Sequence, residues 1–280
     1  VTISKGRTSR VGGLAIPRRW TIGAVVIVAQ LSFGVGGAAN ASVRASTLAT
    51  TPDSIHAISH AADINELSSR SAPAVTVKLP AKLWPVQLGD FSTRVRRVQR
   101  ALVELGYWLA PVNGYFGDST QQAVYALQKA AGIARTGVVG ASTYQAIANG
   151  VVPKPRSKVG RVVEVNLQRD LVLIVNNGKL LTTLNTSTGG GYTYCVARSC
   201  SVAITPTGHF SIVREVDGIV TDALGQLWRP KYFYSGFAIH GDSYVPAYPV
   251  SHGCVRVSDE AINWIWDTNQ MPLGTKVWIY

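Results

Sequence analysis

No acidic residue occurs before Asp53 in this 280-residue chain, while Lys5, Arg7, Arg10, Arg18 and Arg19 all precede its first long apolar stretch. Charge is scarce throughout: Asp, Glu, Lys and Arg make up 15%, against 46% hydrophobic residues. With seven Trp and eleven Tyr, this composition excludes wholesale disorder, whose signature is low hydrophobicity and high charge. The formal net charge of +12 falls to about +7 once the five leading cations are set aside. Such a surface favours an anionic polymer. Clusters of Lys/Arg with interleaved aromatics, a helix-turn-helix and an RNA-binding signature are all lacking, which argues against nucleic acid. Cysteine is scarce too, with Cys195 and Cys200 close together and Cys254 alone.

The leading cations are followed by an almost wholly apolar or small run from Thr21 to Ala39 and then by Ala39-Asn40-Ala41. A positive segment, an apolar segment and a small-x-small site read as an export signal. The run is long for a signal core and short for a comfortable membrane span of about 20 residues. Residues 1–41 are therefore a cleaved signal peptide or an uncleaved membrane anchor, with a buried core helix as the remaining alternative. Both leading readings place the rest of the chain outside the cytoplasm. In an oxidising compartment Cys195 and Cys200 can form a local disulfide, which leaves Cys254 as an odd thiol. Three unrelated reduced thiols are the alternative. An odd thiol outside the cell risks oxidation and invites a functional explanation.

Residues 42–87 are rich in Ala, Ser, Thr and Pro, show no sustained period, and read as a spacer. From 88 to 150 the pattern turns helical. Val95, Val98, Leu102 and Leu105 recur at three and four residues and mark one face of a helix ending near Gly106. A second helix is expected from Ser119, as N-cap, to Gly132, and a third from about Ser142 to Ala148. A basic, Pro-containing linker, Pro153 to Lys158, precedes a change of period to two. Val162, Val163, Val165 and the run Leu171 to Val175 read as strands, with Asn176-Asn177-Gly178 as a hairpin turn before Leu180 to Leu184. Further strands are expected at Phe210–Arg214, Gln226–Phe233, Phe237–His240 and Lys276–Tyr280, and one helix at Ser258–Asp267. The fold class is α+β and multidomain: a small three-helix bundle, then a β-rich, sandwich- or barrel-like domain with one helix over 159–280.

The chemistry concentrates in Ala238-Ile239-His240-Gly241 and Ser251-His252-Gly253-Cys254-Val255-Arg256. A thiol becomes a strong nucleophile only as thiolate and needs a nearby base or positive charge. His240, at the end of an apolar strand, is the candidate base, with a backbone carbonyl near Gly241 to fix its tautomer. Gly253 allows close approach to a substrate, and the amides of Gly253 and Cys254 are candidate oxyanion donors. Arg256 can meet a carboxylate bidentately, or it can be a plain salt-bridge residue. Tyr232, Tyr234, Tyr244 and Tyr248 are enough rings to line a groove, although core or rim packing explains them equally well. Arg256 and Tyr248 are the substrate-binding candidates. His56, His60 and His209 read as structural, and His252 as a neighbour of the site. A zinc site on His240, His252 and Cys254 is the chemical rival, weakened by the missing carboxylate pattern. No cofactor is implied.

These residues carry two resemblances. Val98-Gln99-Arg100-Ala101-Leu102, Leu105-Gly106-Tyr107, Asn113 through Gly117, and Thr120 through Gln128 followed by Gly137 resemble the peptidoglycan-binding module of cell-wall enzymes. Ile239-His240-Gly241 with Ser251 through Arg256 resembles the signature of L,D-transpeptidases, and Ser187-Thr188-Gly189 and Thr205-Pro206-Thr207-Gly208 fit the same domain. The resemblance implies an exported enzyme acting on peptidoglycan stem peptides. Cys254 would attack the bond between the third residue and D-alanine, and an amine of another stem, or water, would resolve the thioester. It implies His240 as base, Gly241, Ser251, His252 and Gly253 as support around the nucleophile, and acylation by carbapenem-type inhibitors. The gap between His240 and Ser251 is shorter than in many such enzymes, which would narrow the acceptor side. A carboxypeptidase using water and a catalytically silent wall-binding scaffold are the alternatives.

Overall fold

A computed structural model describes residues 84–280. The expected signal or anchor over 1–41 and nearly all of the 42–87 spacer lie outside the described residues. Among the described residues no helix is long and apolar enough to cross a membrane.

Three helices come first. In α1 (Thr93–Glu104) the extended Ser92 caps the start, its hydroxyl accepting from the Val95 amide at 3.1 Å. That bond satisfies one of the donors a helix N-terminus leaves open. Val95, Val98, Ala101 and Leu102 form the buried face. The second helix, α2 (Asp118–Ala131), starts two residues before the expected position. Gly117 is the N-cap, and Ser119 instead donates its hydroxyl to the Ala110 carbonyl at 2.7 Å. Asp118 in the first turn complements the helix dipole, and Gly132 closes the helix in the left-handed conformation. Last comes α3 (Ala141–Ala148). Buried Gln99 ties the loop before α2 in place, accepting from the Gly114 amide and donating to the Tyr115 carbonyl and the Thr120 hydroxyl.

The remainder is a mixed α+β assembly. Its strands are β1 (Arg161–Asn166), β2 (Leu171–Asn176), β3 (Lys179–Asn185), β4 (Thr193–Val196), β5 (Ser199–Val202), β6 (Gly208–Ser211), β7 (Arg214–Glu215), β8 (Ile219–Asp222), β9 (Gly225–Tyr234), β10 (Phe237–Asp242), β11 (Val255–Ser258) and β12 (Lys276–Ile279). Helix α4 (Asp259–Asp267) follows β11, capped by the Ser258 hydroxyl. One sheet runs β3-β2-β1-β12-β6, a second runs β11-β10-β9-β7 with β8 also on β9, and β4-β5 is a separate hairpin. The segment expected as one strand, Phe210–Arg214, is split. β6 pairs with β12 and β7 with β9, so the chain changes sheets at buried Ile212.

The unbroken Leu171–Val175 run has a physical cause in its position. Leu171, Leu173 and Val175 face the helical module's core, while Val172 and Ile174 enter the core between the sheets and α4. A strand buried on both faces has no solvent side on which to place polar residues. The helices thus pack on β2, and β3 adds main-chain bonds from Thr183 to Gly106 and Trp108; residues 84–280 lie within one compact unit. The expected linker is also held. Glu164 accepts from the amides of Arg156 and Ser157, the Ser157 hydroxyl and the Tyr280 hydroxyl. Burial alone would raise the Glu164 carboxyl; those bonds outweigh it and hold it below the usual value.

A buried ion pair joins the two parts. Lys129 of α2 donates to the Asp170 carboxylate at 3.0 Å and to the Thr186 carbonyl at 2.7 Å. Burial pushes its ammonium down to about 8, with Asp170 opposing the shift. Asp170, in the β1–β2 turn, also receives the Thr188 amide and hydroxyl at 3.1 and 2.8 Å.

Candidate active site

Strands β10 and β11 run parallel, in register Ile239↔Val255, His240↔Arg256, Gly241↔Val257 and Asp242↔Ser258. Period-two alternation divides their side chains. Ile239, Val255 and Val257 enter the core. His240, Cys254 and Arg256 line a cavity of about 260 Å³ with Tyr194, Asp222 and Phe237 among its other walls. Gly241 faces the other way. A Cβ there would lie 2.6 Å from Ile262 and 2.7 Å from the Asp259 carboxylate, so this glycine admits α4 against the strand.

His240 is 3% exposed, and its Nδ1 lies 2.8 Å from the Gly241 carbonyl oxygen. A carbonyl only accepts, so Nδ1 carries the proton and Nε2 is left unprotonated in the neutral ring. Burial lowers the imidazole below its ordinary value, against the opposing pull of the Gly241 carbonyl, Asp242 and Asp222. Cys254 is half-buried. Burial raises its thiol, and Asp222 adds to the rise, while the Ala238 amide and Arg256 oppose it. Both shifts favour the neutral pair, thiol beside imidazole, over thiolate beside imidazolium.

The loop before Cys254 is tightly bonded. The Ser251 hydroxyl donates to the Cys254 carbonyl at 2.6 Å and accepts from the Gly253 amide at 3.0 Å. The Gly253 amide is therefore engaged, which removes it as an oxyanion donor in this arrangement. Gly253 has φ 134°, and a Cβ would lie 2.5 Å from the Phe237 ring and 2.9 Å from the Ile204 carbonyl. Thr205, quoted above only as part of a motif, is central. Its hydroxyl donates to the Gly253 carbonyl at 2.8 Å and accepts from the Gly189 amide at 2.9 Å, connecting three motifs. The Ser251 amide bonds the Thr188 carbonyl at 2.9 Å.

The remaining candidates are distributed. The His252 ring packs edge-on against Tyr194 and Tyr192, with centroids 4.7 and 5.5 Å away. Arg256 exchanges main-chain bonds with Ser187. Its Nε lies 3.2 Å from the Asp242 carboxylate but is not aligned with it as a hydrogen bond. Tyr248 lies outside the cavity that holds Cys254. It lines a second cavity and meets Tyr244, hydroxyl to hydroxyl, at 3.2 Å. Cys195 and Cys200 face each other across β4–β5 and are disulfide-bonded, leaving Cys254 free. Tyr194 on that hairpin and Asp222 at the end of β8 were not foreseen. Both come from distant parts of the chain, and neither carries a local sequence signal.

Residues 160–279 match the L,D-transpeptidase catalytic domain family, and residues 92–147 match a family described as a peptidoglycan binding domain. The crystal structure of an L,D-transpeptidase (residues 123–326) from Xylanimonas cellulosilytica is 44% identical, with a TM-score of 0.69 over 72% of this chain and 100% of that one. The chain belongs to the L,D-transpeptidase family. An L,D-transpeptidase from Stackebrandtia nassauensis is 20% identical, with a TM-score of 0.42 over 70% of this chain and 97% of that one. L,D-transpeptidase 3 from Mycobacterium tuberculosis, solved with a faropenem-derived adduct, is 15% identical, with a TM-score of 0.35 over 43% and 60%. Comparison with curated proteins returns no match.

Proposed function

We propose that this L,D-transpeptidase family member forms peptidoglycan cross-links through a thioester on Cys254. The observation that carries the reading is the shared cavity of Cys254 and His240, with His240 held by its Nδ1 so that Nε2 is free. The thiolate forms during attack, because the resting pair is neutral. As the Cys254 sulfur bonds the carbonyl carbon of the third stem residue, its proton passes to His240 Nε2. Collapse of the tetrahedral intermediate expels D-alanine, whose amine takes that proton from His240. An amine of a second stem then attacks the thioester, His240 again accepting the proton, and the free thiol returns with the new amide. With the Gly253 amide engaged, the Cys254 amide is the proposed donor to the oxyanion. Arg256, with Asp242 beside it, is proposed to orient a stem carboxylate.

The proposed setting is outside the cytoplasm, at the wall, as a secreted or membrane-anchored protein. Its supports are the disulfide Cys195–Cys200, which oxidising compartments preserve, and the charge and hydropathy pattern of residues 1–41. The helical module, with its match to a peptidoglycan binding domain, would hold the enzyme on its polymer.

The test is intact-mass spectrometry after incubation with a carbapenem, wild type beside Cys254→Ala. One adduct on the wild type alone is expected. No adduct on a folded protein with a reduced Cys254 would favour the scaffold alternative. Product analysis with a tetrapeptide stem then separates cross-linking from hydrolysis: dimer formation supports the transpeptidase, and tripeptide alone the carboxypeptidase.

A further inference from the structure

The second cavity, about 490 Å³, lies between the helical module and the β-rich part. Tyr125 of α2 stands on one side, Tyr244 and Tyr248 on the other. Its walls are fixed in relation to each other. The Gln122 side chain donates to the Val245 carbonyl at 3.0 Å and accepts from Asn185 at 2.6 Å. Arg135 donates to the Ala247 carbonyl at 2.9 Å. The cavity is thus built into the packing of the two modules, with three tyrosine rings available for stacking and amides and carboxylates for hydroxyl groups. Aromatic faces beside a few oriented polar groups suit a polar ring ligand such as an aminosugar.

Its position relative to Cys254 gives the ligand a direction. Asp242 and Ser258 line this second cavity and are register partners. By alternation they share the face that carries His240, Cys254 and Arg256. Ser258 is four residues along from Cys254, about 13 Å at strand rise. A stem of three extended residues reaches about 10 Å, and its link to the sugar supplies the remainder. Charge orients it as well. Besides Asp242, which Arg256 pairs, the cavity walls carry the carboxylates of Asp118, Asp259 and Glu260 against the cation of Arg135, a net negative lining that disfavours stem carboxylates, while Arg256 sits at the Cys254 end.

From this we infer that the inter-module cavity binds the glycan end of the donor strand, while its stem peptide runs along β10–β11 over the Asp242–Arg256 pair to Cys254. The inference rests on the proposed transpeptidase reading for the stem's destination. The glycan site itself is read out separately by binding.

The test compares a soluble disaccharide-tetrapeptide with the free tetrapeptide of the same sequence, using the same full chain throughout. D-alanine release should favour the glycan-bearing substrate in kcat/KM by about tenfold. That preference should fall toward one in Tyr244→Ala, at an exposed position, and in Tyr125→Ala. No preference in the wild type, or a preference untouched by both substitutions, overturns the inference. Titration of Cys254→Ala with the two compounds provides the second readout. Tighter binding of the disaccharide-tetrapeptide, lost in Cys254→Ala/Tyr244→Ala, supports the glycan site even if neither substrate releases D-alanine, an outcome that would count against the transpeptidase reading alone. Equal binding of both compounds overturns the glycan site.

Discussion

His240 and Cys254 are held by the same physical condition, burial at the end of paired strands, with opposite effects on their titration. Burial lowers the imidazole and raises the thiol, so the ion pair is disfavoured. In the proposed mechanism His240 must be unprotonated to act, and a depressed imidazole stays unprotonated to a lower pH. The acid limb of the kcat/KM profile should therefore fall below the ordinary histidine value of about 6.5. A limb above that value would contradict the burial argument. The sign for stability follows from linkage. Below about 6.5 the unfolded chain binds a proton that buried His240 resists, so this residue's contribution is lost as pH falls through that region. Replacing His240, the proposed base, should cost on the order of 10²- to 10⁴-fold in kcat/KM. Gly253 is a second residue-scale case. Gly253→Ala would force a Cβ against the Phe237 ring at a φ that side chains rarely adopt. A loss of about 1–3 kcal/mol in stability is expected, read by denaturant melts, together with slower acylation of the displaced Cys254.

At the scale of elements, the β4–β5 hairpin stands apart from both large sheets and presents Tyr194 to the cavity that holds His240 and Cys254. Its attachments are few: the Tyr192 hydroxyl on the Val250 carbonyl, the Gly191 and Ala203 amides at its base, and ring contacts with His252. The disulfide closes a short loop, for which chain entropy gives about 2 kcal/mol. Reduction, or Cys195→Ser with Cys200→Ser, should leave the core intact and loosen the hairpin. Hydrogen exchange would show faster amides in 193–202 and unchanged protection in β1, β2 and β12. Uniform loss of protection would mean that the hairpin is part of the folding core. The thiol pair was legible as a possible local disulfide, given an oxidising compartment, beside the alternative of unrelated reduced thiols. The hairpin was not, because four exposed residues in β5 present no alternation between buried and exposed positions.

Across the whole of the described residues, the governing feature is the joining of two modules through β2, β3 and the Lys129–Asp170 pair. Lys129→Met would leave the Asp170 carboxylate buried without its cation. Breaking such a pair from one side costs about 3–5 kcal/mol. Because Asp170 also holds Thr188, whose carbonyl receives the Ser251 amide, acylation of Cys254 should slow in the same variant. Adding Asp170→Asn should recover part of the stability by removing the stranded charge. If Lys129→Met unfolded the helices alone and left acylation untouched, the modules would be independent and this coupling refuted. A helical pattern, a Pro-containing linker and a strand pattern in series read as separate domains joined by a tether. The anchoring of the linker by Ser157 on Glu164 and the shared strands are long-range facts that a local period does not encode.

The sequence alone determined the helices and the longer strands, whose signals lie among neighbours in the chain. Apolar spacing marked the helices, alternation and short apolar runs marked the longer strands, Asn176-Asn177-Gly178 marked the hairpin turn, and Ser251 through Arg256 with His240 marked the proposed nucleophile and its proposed base. These are local because a helix face, a pleat and a nucleophile loop are each set by a few consecutive residues. Tertiary structure decided what those residues do for one another. It engaged the Gly253 amide with Ser251, placed Tyr248 in a cavity apart from Cys254, brought Thr205, Tyr194 and Asp222 to the site, and made one body of two modules. The reason is that burial and hydrogen-bond partners depend on contacts between distant segments, and those contacts exist only once the sheets and helices have packed.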